Sequence, residues 1–223
     1  MKNKGFTLVE ILIACGVLAL FMSGVMALYS SGSKMSNSTM WLQNTTNKLR
    51  SATRLISECV RKGSYPTQIE YPKEIKESRA ACFDLHYHKE TLNVADSDKA
   101  FLIVTESKPV KKGETKDVEN GELKVHVFRL LKNGDLTYGR YDETGIKEVA
   151  GDSFTRSIPP KGSPNYQIVL VKDVESVVCV PQEKRDYSPL EITVNCVMPR
   201  NKATKRSEKA IGVPNVKLND DLK

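Results

Sequence analysis

Between Phe6 and Tyr29 the chain carries one strongly ionisable side chain, Glu10, in an otherwise apolar run without proline; Cys15 and Tyr29 are only weak acids. As an α-helix this run would be about 36 Å long, enough to cross a hydrocarbon core of about 30 Å. Everything after Ser30 is soluble in character. One membrane-length segment followed by a polar domain is therefore the organisation that any fold must satisfy. At 223 residues, the chain leaves room beyond that segment for one domain of ordinary size. Charged residues at 27% and hydrophobic residues at 39% exclude a polytopic membrane protein and a wholly disordered chain. The formal charge of +7 is scattered and falls short of the concentrated basic stripe of a nucleic-acid binder.

Lys2 and Lys4 precede the apolar run, and the next charge after it is Lys34. This asymmetry predicts a cytoplasmic N-terminus and an exported domain. A cleaved signal peptide would have a shorter apolar core, with a small-residue site such as Ser30-Ser31-Gly32-Ser33 behind it. A plain signal anchor accounts for the length and the flanking charges but not for Glu10. A carboxylate one turn into an apolar helix is costly and calls for a partner. No basic residue lies within reach on the same helix. Cutting the chain after Gly5 would create an α-amine on Phe6, which on one subunit could neutralise Glu10 on a neighbour.

The run Lys4-Gly5-Phe6-Thr7-Leu8-Val9-Glu10 resembles the class III signal of type IV prepilins and pseudopilins. In that family a prepilin peptidase cuts after the glycine, the new N-terminal phenylalanine is N-methylated, and the fifth mature residue is a glutamate that acts in assembly. The resemblance implies cleavage between Gly5 and Phe6, methylation of Phe6 and an assembly role for Glu10. It also implies a fold: α+β, with a long N-terminal helix, its first half transmembrane, packed on an antiparallel β-sheet. The expected organisation is a leader over 1–5, the transmembrane half over 6–29, the soluble half of the helix over 30–64, the sheet domain over 65–199 and a loose basic tail over 200–223.

The residues beyond the membrane support that plan. Leu42, Thr45, Leu49, Ala52, Ile56 and Cys59 form an amphipathic stripe, with Arg54 and Glu58 at i,i+4 on the opposite side. The serine-rich stretch Ser30–Ser38, with Gly32, predicts a weak or melted segment between the halves, and Gly63 with Pro66 predicts the stop. Strands are predicted at Phe83–Lys89, Phe101–Thr105, Glu122–Leu131, Leu136–Tyr141, Tyr166–Val180 and Leu190–Met198, with a turn at Asn133-Gly134-Asp135. Residues 106–121 and 151–164 read as surface loops. Gly63-Ser64-Tyr65-Pro66, Phe128-Arg129-Leu130 and Val171-Lys172-Asp173-Val174-Glu175-Ser176 before a final Leu190–Val194 strand resemble, in order and spacing, the larger minor pilins. They are similar to J-type pseudopilins of type II secretion and W-type minor pilins of type IV pili.

Cys15 reads as a small apolar residue within the membrane helix. Cys59, Cys82, Cys179 and Cys196 form an even set in an exported domain, where disulfides persist. Three connectivities are open. Cys179 with Cys196 is favoured because the two are equidistant from the middle of a hairpin around Tyr187 and Ser188, and Cys59 with Cys82 follows by elimination. Four free thiols are the alternative. No C-x-x-C pair supports zinc or redox chemistry.

His86 and His88 share a strand face as two metal ligands would, but no third ligand stands at a diagnostic spacing, and a surface pair is favoured. Asp96-Ser97-Asp98 could offer oxygens to calcium but lacks the rest of a binding loop, so a solvated turn is favoured. No metal and no cofactor are expected. No nucleophile elbow, P-loop or dinucleotide fingerprint occurs, so no enzymatic activity and no small-molecule substrate are expected. Lys202, Lys205, Arg206 and Lys209 form a basic cluster without interleaved aromatic residues, which reads as a solvated tail.

The function implied by the resemblance is a structural minor pilin or pseudopilin subunit. It would be inserted in the inner membrane and then assembled into, or prime or cap, a type IV pilus or a type II secretion pseudopilus. Its expected partners are prepilin peptidase, other minor and major pilins or pseudopilins, an inner-membrane assembly platform and membrane lipid. The alternative is a tip adhesin or DNA-capturing module presented on a pilin-type stalk, which the long loops and basic tail motivate.

Overall fold

The computed structural model describes residues 7–64, 83–96, 98–107, 122–144, 160 and 162–222. One helix, α1, runs without interruption from Leu8 to Lys62. The expected weak stretch at Ser30–Ser38 is helical throughout. Serine and glycine cost a helix less than about 1 kcal/mol each, too little to break one that is helical on both sides. Two hydroxyls nearby bond back along the helix, Ser23 Oγ to the Leu20 carbonyl at 2.7 Å and Thr39 Oγ1 to the Met35 carbonyl at 3.0 Å.

By its internal contacts the chain divides into a unit up to Gln43 and a second unit from Asn44 onward. The first unit is bare helix. From Leu8 to Tyr29 its apolar residues lie on every side and are exposed, Leu8 and Leu28 each 76%. In the second unit, Thr45, Leu49, Ala52, Thr53, Ile56, Cys59 and Val60 of α1 are buried, which matches the predicted stripe from Thr45 to Cys59. The Arg54–Glu58 pair on the outer side closes at 2.9 Å.

Ten strands occur among the described residues: β1 (Leu85–His88), β2 (Leu92–Asn93), β3 (Lys99–Ser107), β4 (Glu122–Leu130), β5 (Leu136–Thr144), β6 (Tyr166–Val171), β7 (Val174–Pro181), β8 (Leu190–Met198), β9 (Asn201–Gly212) and β10 (Leu218–Leu222). They form two sheets, β10-β1-β3-β4-β5-β6 and β2-β7-β8-β9. All pairings are antiparallel except β1 with β10, which is parallel. The architecture is α+β and type IV pilin-like, a long helix on β-sheets. The single antiparallel sheet of the expectation is replaced by two, one of them mixed.

One predicted strand explains the division. Residues 166–180 read as a single strand because their side chains are strand formers throughout. Asp173 instead takes φ 61°, a left-handed conformation that an aspartate tolerates better than most residues. The chain bends there, leaving one sheet as β6 and entering the other as β7. Gly134 of the predicted Asn-Gly turn, with φ 82°, lies under this bend, and its carbonyl accepts the Val174 amide at 2.9 Å.

The C-terminal segment corrects the expected loose tail. Residues 201–212 are the edge strand β9, and residues 218–222 are β10 at the end of the larger sheet. At the end of β9 and just beyond it the chain meets α1: the Ser57 hydroxyl donates to the Ile211 carbonyl at 2.7 Å, and Asn215 Nδ2 donates to the Arg61 carbonyl at 2.9 Å. The sheet domain therefore extends past residue 199 to Leu222. Most of residues 106–121 and 151–164, expected as loops, lie outside the described residues.

Candidate functional site

The described chain starts one residue after the expected scissile bond, so Gly5 and Phe6 lie outside the described residues. Thr7 caps α1. Its Oγ1 accepts the Glu10 amide at 3.3 Å, while Glu10 Oε2 accepts both the Thr7 amide at 2.8 Å and the Thr7 hydroxyl at 2.9 Å. This is a reciprocal capping box, with threonine at the N-cap and glutamate three residues on. It provides two otherwise orphaned donors at the helix start with acceptors. An acidic group at this end is also favoured by the helix dipole.

The carboxylate that called for a basic partner thus has a neutral one in its own chain. Both bonds fall on Oε2; Oε1 makes none among the described residues. Sequence reasoning sought a countercharge and passed over the Thr7-Leu8-Val9-Glu10 pattern, which carried the signal. A capping box satisfies hydrogen bonds but leaves the negative charge uncompensated. The arrangement therefore holds an anion at the start of an apolar helix in a fixed rotamer.

The other predicted positions are dispersed. Cys179 and Cys196 are both buried free thiols, contrary to the expected disulfide. The register of β7 on β8 sets Cys179 opposite Ile192 and Val174 opposite Cys196. Cys196 therefore lies about 13 Å along β8 from the position facing Cys179. A disulfide needs Cα atoms within roughly 7 Å. The hairpin is centred nearer the β7 side than the cysteine spacing suggested. Each thiol donates weakly to a backbone carbonyl, Cys179 to Phe101 at 3.9 Å and Cys196 to Lys172 at 3.8 Å. Cys59 is also a buried free thiol, and Cys82, its expected partner, lies outside the described residues. Burial pushes the thiols of Cys59, Cys179 and Cys196 up to about 12, so none is a thiolate nucleophile at neutral pH.

His86 and His88 are not a surface pair. Both are buried on β1, between β10 and β3. His86 Nδ1 meets Asp221 of β10 at 2.7 Å, and His88 Nδ1 meets the Glu90 carbonyl at 2.9 Å. Asp98 takes φ 78°, and its Oδ1 accepts the Lys132 amide at 3.1 Å, tying β3 to the β4–β5 turn. Ser97 lies outside the described residues. Among the described residues no group of three or more His, Cys, Asp or Glu side chains could hold a metal ion.

Three of the four residues of the basic cluster are partnered by acids. Lys205 pairs with Glu175 of β7 at 3.1 Å, Lys209 with Glu191 of β8 at 2.7 Å, and Arg206 with Glu208 of its own strand at 3.4 Å. Lysines along a long edge strand discourage edge-to-edge pairing with another chain, a structural reason for the cluster that the tail reading missed.

Comparison with known proteins finds the prokaryotic N-terminal methylation motif over residues 1–26, the region that contains the capping box and the start of the apolar run. No curated protein and no solved structure gives a match. Residues 1–26 thus carry the methylation motif of prepilin-like proteins, and the motif runs directly into the exposed apolar start of α1.

Proposed function

We propose that this prepilin-like chain is a minor pilin or pseudopilin subunit. It is anchored in the inner membrane by a single pass with its N-terminus in the cytoplasm, then transferred into a pilus or secretion pseudopilus. The observation that carries this reading is Glu10, an acid fixed at a set distance from the methylation-motif cleavage residue and embedded in an apolar helix. Prepilin peptidase cuts between Gly5 and Phe6, the new amine on Phe6 is methylated, and that amine on one subunit meets Glu10 on another. The apolar surface of the first helical unit is covered first by lipid and later by neighbouring pilin helices. These environments are comparably apolar, so transfer between them costs little and the polar contact gives it direction. No catalytic group is required of the chain itself; the assembly platform supplies the work.

The test has two arms. Mass analysis of the N-terminal peptide from membrane and filament fractions should find a chain starting at Phe6 with one added methyl. An intact Met1 in filaments, or a mature chain starting near Ser30, overturns the proposal. Glu10→Ala should insert in the membrane as the parent does yet be depleted from filaments. Undiminished incorporation would remove Glu10 from the mechanism.

A further inference from the structure

His126 of β4 is buried within electrostatic reach of Lys62 at the end of α1, with both ring nitrogens engaged. Nδ1 meets the Tyr138 hydroxyl of β5 at 2.8 Å, and Nε2 meets Glu106 Oε2 of β3 at 3.0 Å. The imidazole is 5% exposed, Tyr138 6%, and the Glu106 side chain 23%. The helix end above this cluster is stitched to β3. The Ser64 amide donates to the Thr105 carbonyl at 3.0 Å, the Ser107 amide donates to Ser64 Oγ at 3.0 Å, and Gly63 packs against Val104 and Val216. Three strands therefore meet at one titratable ring, and the β3 residues that hold Ser64 at the helix end, Thr105 and Ser107, flank its partner Glu106.

We propose that the Tyr138–His126–Glu106 cluster is an acid-sensitive latch that holds the end of α1 on the sheet at neutral pH and loosens it on acidification. In the neutral ring, Nε2–H donates to the Glu106 carboxylate and the Tyr138 hydroxyl donates to Nδ1. Every hydrogen in this chain has an acceptor. Protonation places a second N–H on Nδ1, so the Tyr138 oxygen can only accept there and its own hydrogen loses this acceptor. The charged ring also sits in a nearly dry site.

The groups facing the ring oppose one another. Glu106 of β3 favours the imidazolium, while Lys62 of α1 and Lys124 of β4 disfavour it. Cys59 of α1 and Arg140 of β5 lie beside Tyr138, whose phenol burial pushes far up, so Tyr138 stays neutral and available as a donor. Desolvation is the largest influence on His126 and holds it below the ordinary histidine range. The folded chain thus binds this proton at lower pH than the unfolded chain does. The latch is fully set above about 6.5 and weakens as pH falls from there toward the folded-state value.

The test uses the full chain in detergent micelles and hydrogen exchange from pH 7.5 to 5. Protection of a peptide covering residues 52–64 is expressed relative to one covering 190–198, which cancels the intrinsic pH dependence of exchange. The ratio should fall by up to about tenfold per pH unit below 6.5, the limit for one linked proton. His126→Gln can donate to Glu106 and accept from Tyr138 but cannot titrate, and should flatten the profile. A flat parental ratio overturns the proposal, as does an unchanged slope in H126Q, which would assign the effect to another group such as His86. If H126Q fails to fold, the ring is titrated by NMR in the parent, with its signal assigned by subtraction using H86N and H88N. A midpoint below 6.5 supports the latch; one at or above 6.5 overturns it.

Discussion

The two halves of α1 share one backbone geometry and differ in side-chain burial. From Leu8 to Tyr29 the helix is apolar on nearly all sides and exposed throughout. From Asn44 to Lys62 it is amphipathic, one side buried under the sheets and the other carrying ions. Hydrophobic periodicity is absent in the first half and present in the second because only the second has a wet side. The covering of the second half comes from residues far along the same chain, whereas the apolar residues from Leu8 to Tyr29 are exposed. One half is covered by its own domain, and the other is long and apolar enough to cross a membrane.

This contrast breaks first, if it breaks, under truncation. Ile56 is completely buried, and Ile56→Ala should cost about 2–5 kcal/mol of domain stability through lost burial and a residual cavity. Leu18, 56% exposed, can be truncated to alanine with a change within about 0.5 kcal/mol. Denaturant unfolding of each variant in detergent, followed by the fluorescence of the domain tyrosines, measures both. Equal effects at the two sites would mean that the first half also packs on the domain.

A smaller effect separates two glycines. A Cβ on Gly212 would lie 2.6 Å from Val60 Cγ1, so α1 and the end of β9 must move apart to admit it. Gly212→Ala should cost about 1–3 kcal/mol, as overpacking does. A Cβ on Gly32 meets nothing within 4 Å. Gly32→Ala should leave domain stability unchanged and favour the helix itself by about 0.5–1 kcal/mol. Circular dichroism at 222 nm on heating should report a lower midpoint for the first variant and no loss for the second.

What was legible in the sequence follows from how local each signal is. The Thr45–Cys59 stripe and the Asn-Gly turn depend on residues a few positions apart, and both stand in the structure. The bend at Asp173 left no mark, since one residue in a left-handed conformation does not interrupt a run of strand formers. Strand β9 was hidden by its own protection: the lysines that guard an edge made the segment look like a solvated tail. The free thiols of Cys179 and Cys196 turn on a strand register set by the whole hairpin, which spacing from an assumed turn cannot fix. The His126 cluster draws on residues 106, 126 and 138 beneath a helix ending at 62, and no local pattern joins them. At the N-terminus the pattern was present as threonine and glutamate three apart, and the search for charge obscured it.

The smallest effect tests whether the wet side of α1 contributes at all. Arg54 and Glu58 are four residues apart with Nε to Oε1 at 2.9 Å, and the Arg54 side chain is 83% exposed. In water such a pair gains little Coulomb energy and loses side-chain entropy, so Arg54→Ala should cost about 0.3–0.5 kcal/mol. Its arginine lies toward the helix N-terminus and its glutamate toward the C-terminus, the less favourable order against the helix dipole, which places the value at the lower end. Raising the salt to about 1 M shortens the screening length to about 3 Å and should erase most of the difference between parent and variant. The Ile56→Ala deficit, which is apolar in origin, should survive the same salt. If the Arg54→Ala deficit persists undiminished at high salt, the arginine acts by packing its methylene stem on the helix surface and not by charge.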